Sequence, residues 1–296
     1  MSTPPVGVLL MAYGTPRDRD DIETYYTDIR RGRPPTPELM ADLVGRYDAL
    51  GGTFPLRAIT DAQVDAIAAA LGEGYAVELG TKHSSPKVED GVGALVARGA
   101  GRIVGLVLAP HFSRFSVGEY AERAAKEGAR HDVAVDTVET WHLLPAYLEF
   151  LERAVSTALE RVPAGSEVVF TAHSLPERIL ASGDPYPDQL RATAETVAER
   201  AGLTTWSTAW QSAGRTPEPW LGPDVLEVVR DRAARGVPGV VICACGFVAD
   251  HLEVAYDLDI EAAAVARDLG IPFARTASVN DDGAVMRELA WLVASQ

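Results

Sequence analysis

His173 closes the apolar run Val168-Val169-Phe170-Thr171-Ala172 and is followed by Ser174-Leu175-Pro176. A neutral imidazole binds divalent metals and accepts protons near neutral pH. A histidine in such a place also serves as a structural hydrogen-bonding group, so position alone leaves both roles open. A second group begins at Asp250-His251-Leu252-Glu253. On a helix, Asp250, Glu253, Asp257 and Glu261, spaced by three, four and four residues, share one face. Like charges so placed repel by a few tenths of a kcal/mol per pair. No Lys or Arg follows in the stripe until Arg267. Carboxylate oxygens in a row suit a loosely held divalent cation, and a solvated helix face is the plainer alternative.

A third group reverses the sign. Arg30, Arg31 and Arg33 cluster, and Arg46-Tyr47 follows. Arginine's planar fork matches carboxylates in bidentate fashion, which points to an anionic substrate. Cations closing a helix before Gly32 account for Arg30 and Arg31 but not for Arg46. The fourth group is the loop from Trp210-Gln211-Ser212 to Trp220-Leu221-Gly222-Pro223. Its two tryptophans suit a flat aromatic ligand or simple loop packing.

Short apolar runs at 6–12, 76–80, 103–109, 133–138, 168–172, 204–210, 240–245 and 272–274 predict strands. Amphipathic stretches at 37–50, 61–71, 87–98, 146–161, 188–201, 223–235 and 250–269 predict the helices between them. Strands separated by helices of this length predict βαβ units and parallel sheets covered on both faces. The segment Val8-Leu9-Leu10-Met11-Ala12-Tyr13-Gly14-Thr15-Pro16 aligns with Val168-Val169-Phe170-Thr171-Ala172-His173-Ser174-Leu175-Pro176. Strands 103–109 and 240–245 each run into a polar or aromatic loop, Pro110-His111-Phe112-Ser113 and Gly246-Phe247-Val248-Ala249-Asp250. Two similar α/β domains are therefore expected, 1–143 and 144–280, with a last helix in 281–296 that packs back on the first. Ligands of open parallel sheets bind at the carboxyl ends of strands, where Tyr13 and His173 would stand.

Length and composition fit that reading. The 296 residues are 47% hydrophobic with a net charge of −15. A nucleic-acid binder would carry a basic stripe instead. Cys243 and Cys245, the two cysteines, make neither a disulfide framework nor a four-cysteine metal site, and a reducing cytoplasm is expected. The N-terminus lacks the charged region of a signal peptide, and no stretch reaches the roughly 18 apolar residues of a spanning helix.

Several blocks, in order along nearly the whole chain, resemble the ferrochelatase family. They are Met11-Ala12-Tyr13-Gly14-Thr15-Pro16, Tyr25-Tyr26-Thr27-Asp28-Ile29-Arg30-Arg31-Gly32-Arg33, Leu108-Ala109-Pro110-His111-Phe112-Ser113, Ala172-His173-Ser174-Leu175-Pro176-Glu177, Gly183-Asp184-Pro185-Tyr186-Pro187-Asp188-Gln189-Leu190, Trp210-Gln211-Ser212 and Gly246-Phe247-Val248-Ala249-Asp250-His251-Leu252-Glu253. Within the family the chain is most similar to the water-soluble coproporphyrin III ferrochelatases of Gram-positive-type bacteria. The resemblance implies two Rossmann-like, chelatase-type domains with a porphyrin cleft between them. It makes His173 and Glu253 the catalytic, metal-handling pair and Asp257 and Glu261 an outer acidic row. It gives Tyr13 the axial bond to iron in the product. It places Arg30, Arg46, Tyr47 and Tyr120 at propionates or pocket walls and His83 at a cleft position. Phe54 departs from the serine of relatives, which alters propionate recognition. No iron–sulfur cluster is expected, since the four cysteines that bind it in some relatives are not matched.

The implied reaction inserts ferrous iron into coproporphyrin III in haem biosynthesis, with iron as a substrate and no permanent cofactor. Protoporphyrin IX ferrochelatase is the first alternative. Cobalt or nickel chelatase of another tetrapyrrole, and non-catalytic haem binding, are the others. The resemblance also implies a cytoplasmic monomer, without nucleic acid or stable membrane association, that hands coproheme to a decarboxylase.

Overall fold

The computed structural model describes residues 5–52, 54–214 and 216–296. The N-terminal residues 1–4, Thr53 in the segment carrying Phe54 and Arg215 in the tryptophan loop lie outside the described residues.

The chain divides into two units. In the first, β1 (Val6–Ala12), β2 (Tyr75–Thr81), β3 (Arg102–Val107) and β4 (Ala134–Val138) form a parallel sheet in the order β2-β1-β3-β4. Val8, Leu9, Leu10 and Met11 have no exposed surface, as expected of a strand covered on both faces. Helices α1 (Ile22–Ile29), α2 (Pro37–Ala49), α3 (Pro55–Leu71), α4 (Val88–Ala97) and α5 (Val117–Arg130) complete the unit in sequence. The Thr36 hydroxyl accepts from the Leu39 amide and Pro37 opens the first turn, which fixes where α2 starts.

The second unit repeats the plan. After α6 (Pro145–Leu159) come β5 (Glu167–His173), a single helical turn α7 (Arg178–Ala181), α8 (Tyr186–Arg200) and β6 (Trp206–Gln211). Then follow α9 (Val225–Ala234), β7 (Val240–Cys243), the short turn α10 (Leu252–Val254), a π-helical stretch Ala255–Ala262, α11 (Ala263–Leu269) and β8 (Phe273–Arg275). The parallel sheet order is β6-β5-β7-β8. The first strand of each unit thus occupies the same place in its sheet.

Unit membership departs from the expected boundaries at 143 and 280. The segment Pro110–Phe115 belongs to the second unit although it lies within the first in sequence, and that unit resumes at Trp141. Its ties explain this. The Phe112 amide donates to the Gln189 side chain at 2.6 Å, His111 Nε2 lies 2.9 Å from Thr193 Oγ1, and Ser113 Oγ donates to Asp184 at 2.9 Å. The C-terminal helix α12 (Gly283–Ala294) is part of the first unit, where it packs on α3, and the Gln63 amide donates to the Asn280 carbonyl at 2.7 Å.

Besides the single turn α7, two helices escaped the sequence reading. One is α1, and the other is α5, whose buried face is Val117, Tyr120, Ala124 and Gly128. The rest of α5 is densely charged, so the segment as a whole reads as polar. Among the described residues no helix is long and apolar enough to cross a membrane.

Candidate active site

His173 is the last residue of β5, beside Gln211 at the end of β6. The turn beyond it is pinned on three sides. The Ser174 amide donates to the Gln211 carbonyl at 2.8 Å, the Ser174 hydroxyl donates to the Leu221 carbonyl at 2.8 Å, and the Tyr186 hydroxyl donates to the His173 carbonyl at 3.1 Å. Neighbouring Ala172 is crowded by the loop after β7. A Cβ on Gly246 would lie 2.3 Å from that of Ala172, so only glycine lets this loop close.

The imidazole is partly exposed, and its Nδ1 lies 2.5 Å from the Ser174 carbonyl. A carbonyl only accepts, so Nδ1 carries the hydrogen and neutral His173 keeps its lone pair on Nε2. That Nε2 faces Glu253 Oε2 at 3.7 Å. His251 is arranged likewise. Its Nδ1 lies 3.1 Å from the Ala249 carbonyl and its Nε2 lies 3.7 Å from Glu253 Oε2. One carboxylate oxygen thus lies 3.7 Å from the Nε2 of each of two imidazoles. His251 was not singled out from sequence. Its position two residues before Glu253 in a loop at a strand end was the available signal.

The acidic row is less uniform than its spacing suggests. Asp250 lies outside the helix, where Ser278 donates to it at 2.9 Å and Arg275 pairs with it at 3.1 Å. Arg275 also holds Asp259. The compensating arginine comes from β8 and not from the helix itself. Asp257 is buried and accepts a short hydrogen bond from Ser212. Glu253, Asp257 and Glu261 remain at four-residue intervals. The π-helical winding over Ala255–Ala262 keeps such positions close to one line, since about 4.4 residues then make a turn. Among the described residues no group of three or more His, Cys, Asp or Glu is already arranged as a closed metal site.

The tryptophan loop packs on the protein itself. Trp210 is buried against Tyr186 with ring centroids 5.5 Å apart, and Trp220 Nε1 donates to Thr216 at 2.9 Å.

In the first unit, Tyr13 follows β1 and is 44% exposed. Its ring meets His83 edge to face at 4.7 Å, and Lys82 lies over the Tyr120 ring at 5.6 Å while pairing with Glu119. Tyr120 is buried, and burial raises its phenol pKa well above the ordinary value, so it acts as a neutral hydroxyl. Burial also lowers His83, against the opposing bond from Asp28. Arg30 caps the end of α1, with its Nε donating to the Arg33 carbonyl at 3.2 Å. Arg46 lies in the last turn of α2, 3.5 Å from Asp42. Tyr47 is only 4% exposed and packs against Phe54, with ring centroids 4.5 Å apart.

The ferrochelatase family profile matches residues 5–296. A protein named coproporphyrin III ferrochelatase from Halalkalibacterium halodurans is 45% identical, covering 93% of this chain and 92% of its own. Another of that name from Bacillus subtilis is 41% identical, covering 99% and 98%. Among solved structures, SirB from Bacillus subtilis with Fe3+ has a TM-score of 0.63 at 11% identity, covering 98% of this chain and 95% of that one, which shows a shared fold. With the profile spanning both units and the relatives matching nearly end to end, the chain belongs to the ferrochelatase family.

Proposed function

We propose that this chain inserts ferrous iron into coproporphyrin III, giving coproheme, as a lyase of haem biosynthesis. Near-full-length identity to proteins of that name supports the substrate. The observation that carries the chemistry is the His173 Nε2 lone pair facing Glu253 at 3.7 Å. Metallation removes two pyrrole protons and adds Fe2+, so the charge balances only if nearby bases take the protons away. His173 supplies one base with its lone pair already aimed, and Glu253 with His251 supplies the next station outward. The same pair can hold the incoming iron, which prefers imidazole and carboxylate together.

Tyr13 is read as the axial ligand to iron in the product, and Arg30 and Arg46 as propionate partners. Asp257 and Glu261 extend the acidic path beyond Glu253. Iron is substrate, and the reading calls for no resident cofactor and no iron–sulfur cluster. Both cysteines are buried free thiols, which suits a reducing cytoplasm. We take the chain to act as a monomer that releases coproheme to a decarboxylase, without nucleic acid or stable membrane association.

The test is an insertion assay with ferrous iron and either coproporphyrin III or protoporphyrin IX. Higher kcat/KM on coproporphyrin III is expected, because it offers four carboxylates to the arginines against two. A clear preference for protoporphyrin IX overturns the substrate assignment.

A further inference from the structure

Beside the exposed Tyr13 ring stands a polar assembly that the proposed reaction does not use. The loop after β2 continues the β1–β2 ladder past the strand ends. The Lys82 amide donates to the Ala12 carbonyl at 2.9 Å and the His83 amide to the Tyr13 carbonyl at 3.0 Å. Gly14 permits this closure, since it has φ +93° and a Cβ there would lie 2.3 Å from Ser84 Oγ. The His83 imidazole is thereby set edge to face against the Tyr13 ring, at 4.7 Å and 61°.

The imidazole is itself anchored. Its Nδ1 lies 2.8 Å from Asp28 Oδ2, and because a carboxylate only accepts, Nδ1 is the donor. The other Asp28 oxygen lies 2.8 Å from Lys87 Nζ. Asp28 sits in the last turn of α1, and Asp28, His83 and Lys87 line a surface hollow with Thr24, Ser84 and Ser85. The chain of contacts thus runs from Lys87 through Asp28 and His83 to Tyr13, with each member fixing the next. The Tyr13 ring has 44% of its surface exposed, and an edge-to-face neighbour narrows the rotamers open to such a ring.

We propose that Asp28 is a positioning residue for Tyr13, acting through His83, so that the phenol is held at the angle needed to reach the iron of the bound porphyrin. His83 on this view meets Tyr13 rather than the substrate. The inference rests on the reading of Tyr13 as axial ligand.

The test compares full-length Tyr13→Phe, His83→Ala, Asp28→Ala and Asp28→Asn with the wild type. The readouts are the phenolate-to-iron charge-transfer absorption of the ferric coproporphyrin complex, and KM and kcat for insertion. Tyr13→Phe abolishes the band. Asp28→Ala and His83→Ala retain Tyr13 but weaken the band and raise KM, each by about two- to tenfold, the size of one lost ring contact. Asp28→Asn still hydrogen-bonds the imidazole and recovers most of both changes, which a purely structural role would not require. Bands in Asp28→Ala and His83→Ala that superimpose on the wild type, while Tyr13→Phe loses its own, overturn the positioning role alone. A wild-type band in Tyr13→Phe overturns the ligand reading beneath it. Asp28 is partly exposed and its asparagine variant is isosteric, so the comparison does not depend on the alanine variant folding.

Discussion

The two units use one plan for different ends. In each, the first strand lies second in its sheet, and a ring-bearing residue stands where that strand stops, Tyr13 after β1 and His173 at the end of β5. The surroundings then diverge. Tyr13 meets a histidine tied to an aspartate and a lysine, with Lys82 paired to Glu119 nearby. His173 meets Glu253, which also faces His251, in a loop continuing into acidic residues. The first arrangement holds a ring still and is rich in compensated charge. The second presents lone pairs and a carboxylate. A duplicated fold fixes where a site residue stands, and the next loop decides its chemistry.

This contrast breaks if the second unit does not govern the chemical step. His173→Ala is expected to lower kcat for iron insertion by about 10²- to 10⁴-fold, the usual contribution of a positioned acid–base group. Coproporphyrin III affinity, followed by fluorescence titration, should stay within a few-fold of wild type. Normal insertion by this variant sinks the assignment. Glu253→Gln, which keeps shape and removes charge, should cost about a hundredfold in kcat. The first unit should answer in binding instead. Arg46→Ala should raise KM for coproporphyrin III by about tenfold or more, since a hydrogen bond to a charged group contributes about 1.5–3 kcal/mol. A loss confined to kcat would erase the division of labour.

Buried histidines sharpen the comparison more gently. Burial pushes His111, in the second unit, down to about 3. Its unfolded value is about 6.5, so the unfolded chain takes up a proton that the folded one refuses. Stability is therefore intact above about pH 6.5 and falls as pH drops, by up to about 1.4 kcal/mol per pH unit. Unfolding midpoints of wild type and His111→Gln between pH 7 and 4.5 should diverge in slope, with the wild type steeper. His83 in the first unit is shifted in the same direction by burial, but its Asp28 bond opposes the shift. Its slope should be smaller. Equal slopes in His111→Gln and wild type would mean that water reaches the His111 ring.

Much of the site was legible before the fold. The half-to-half match of strand, ring, small residue and proline located Tyr13 and His173, and carboxylate spacing located Glu253. Helix α5 was missed because its outward side is densely charged and the segment as a whole is polar. The row from Asp250 looked uncompensated because Arg275 lies 25 positions from Asp250 in sequence but 3.1 Å away in space. The packing of Tyr47 against Phe54 was not legible either.

Local pattern settled the strands, the parallel class and the ring at each strand end, because apolar runs and their period of interruption are encoded in neighbouring residues. The partners were decided only in three dimensions. Glu253 brought to His173 and Arg275 laid on Asp250 in the second unit, and Asp28 brought to His83 in the first, depend on segments far apart in sequence meeting within each unit. Sequence separation carries no information about that convergence, whereas hydrogen bonds and ion pairs act over about 3–4 Å and so register only what the fold has brought together.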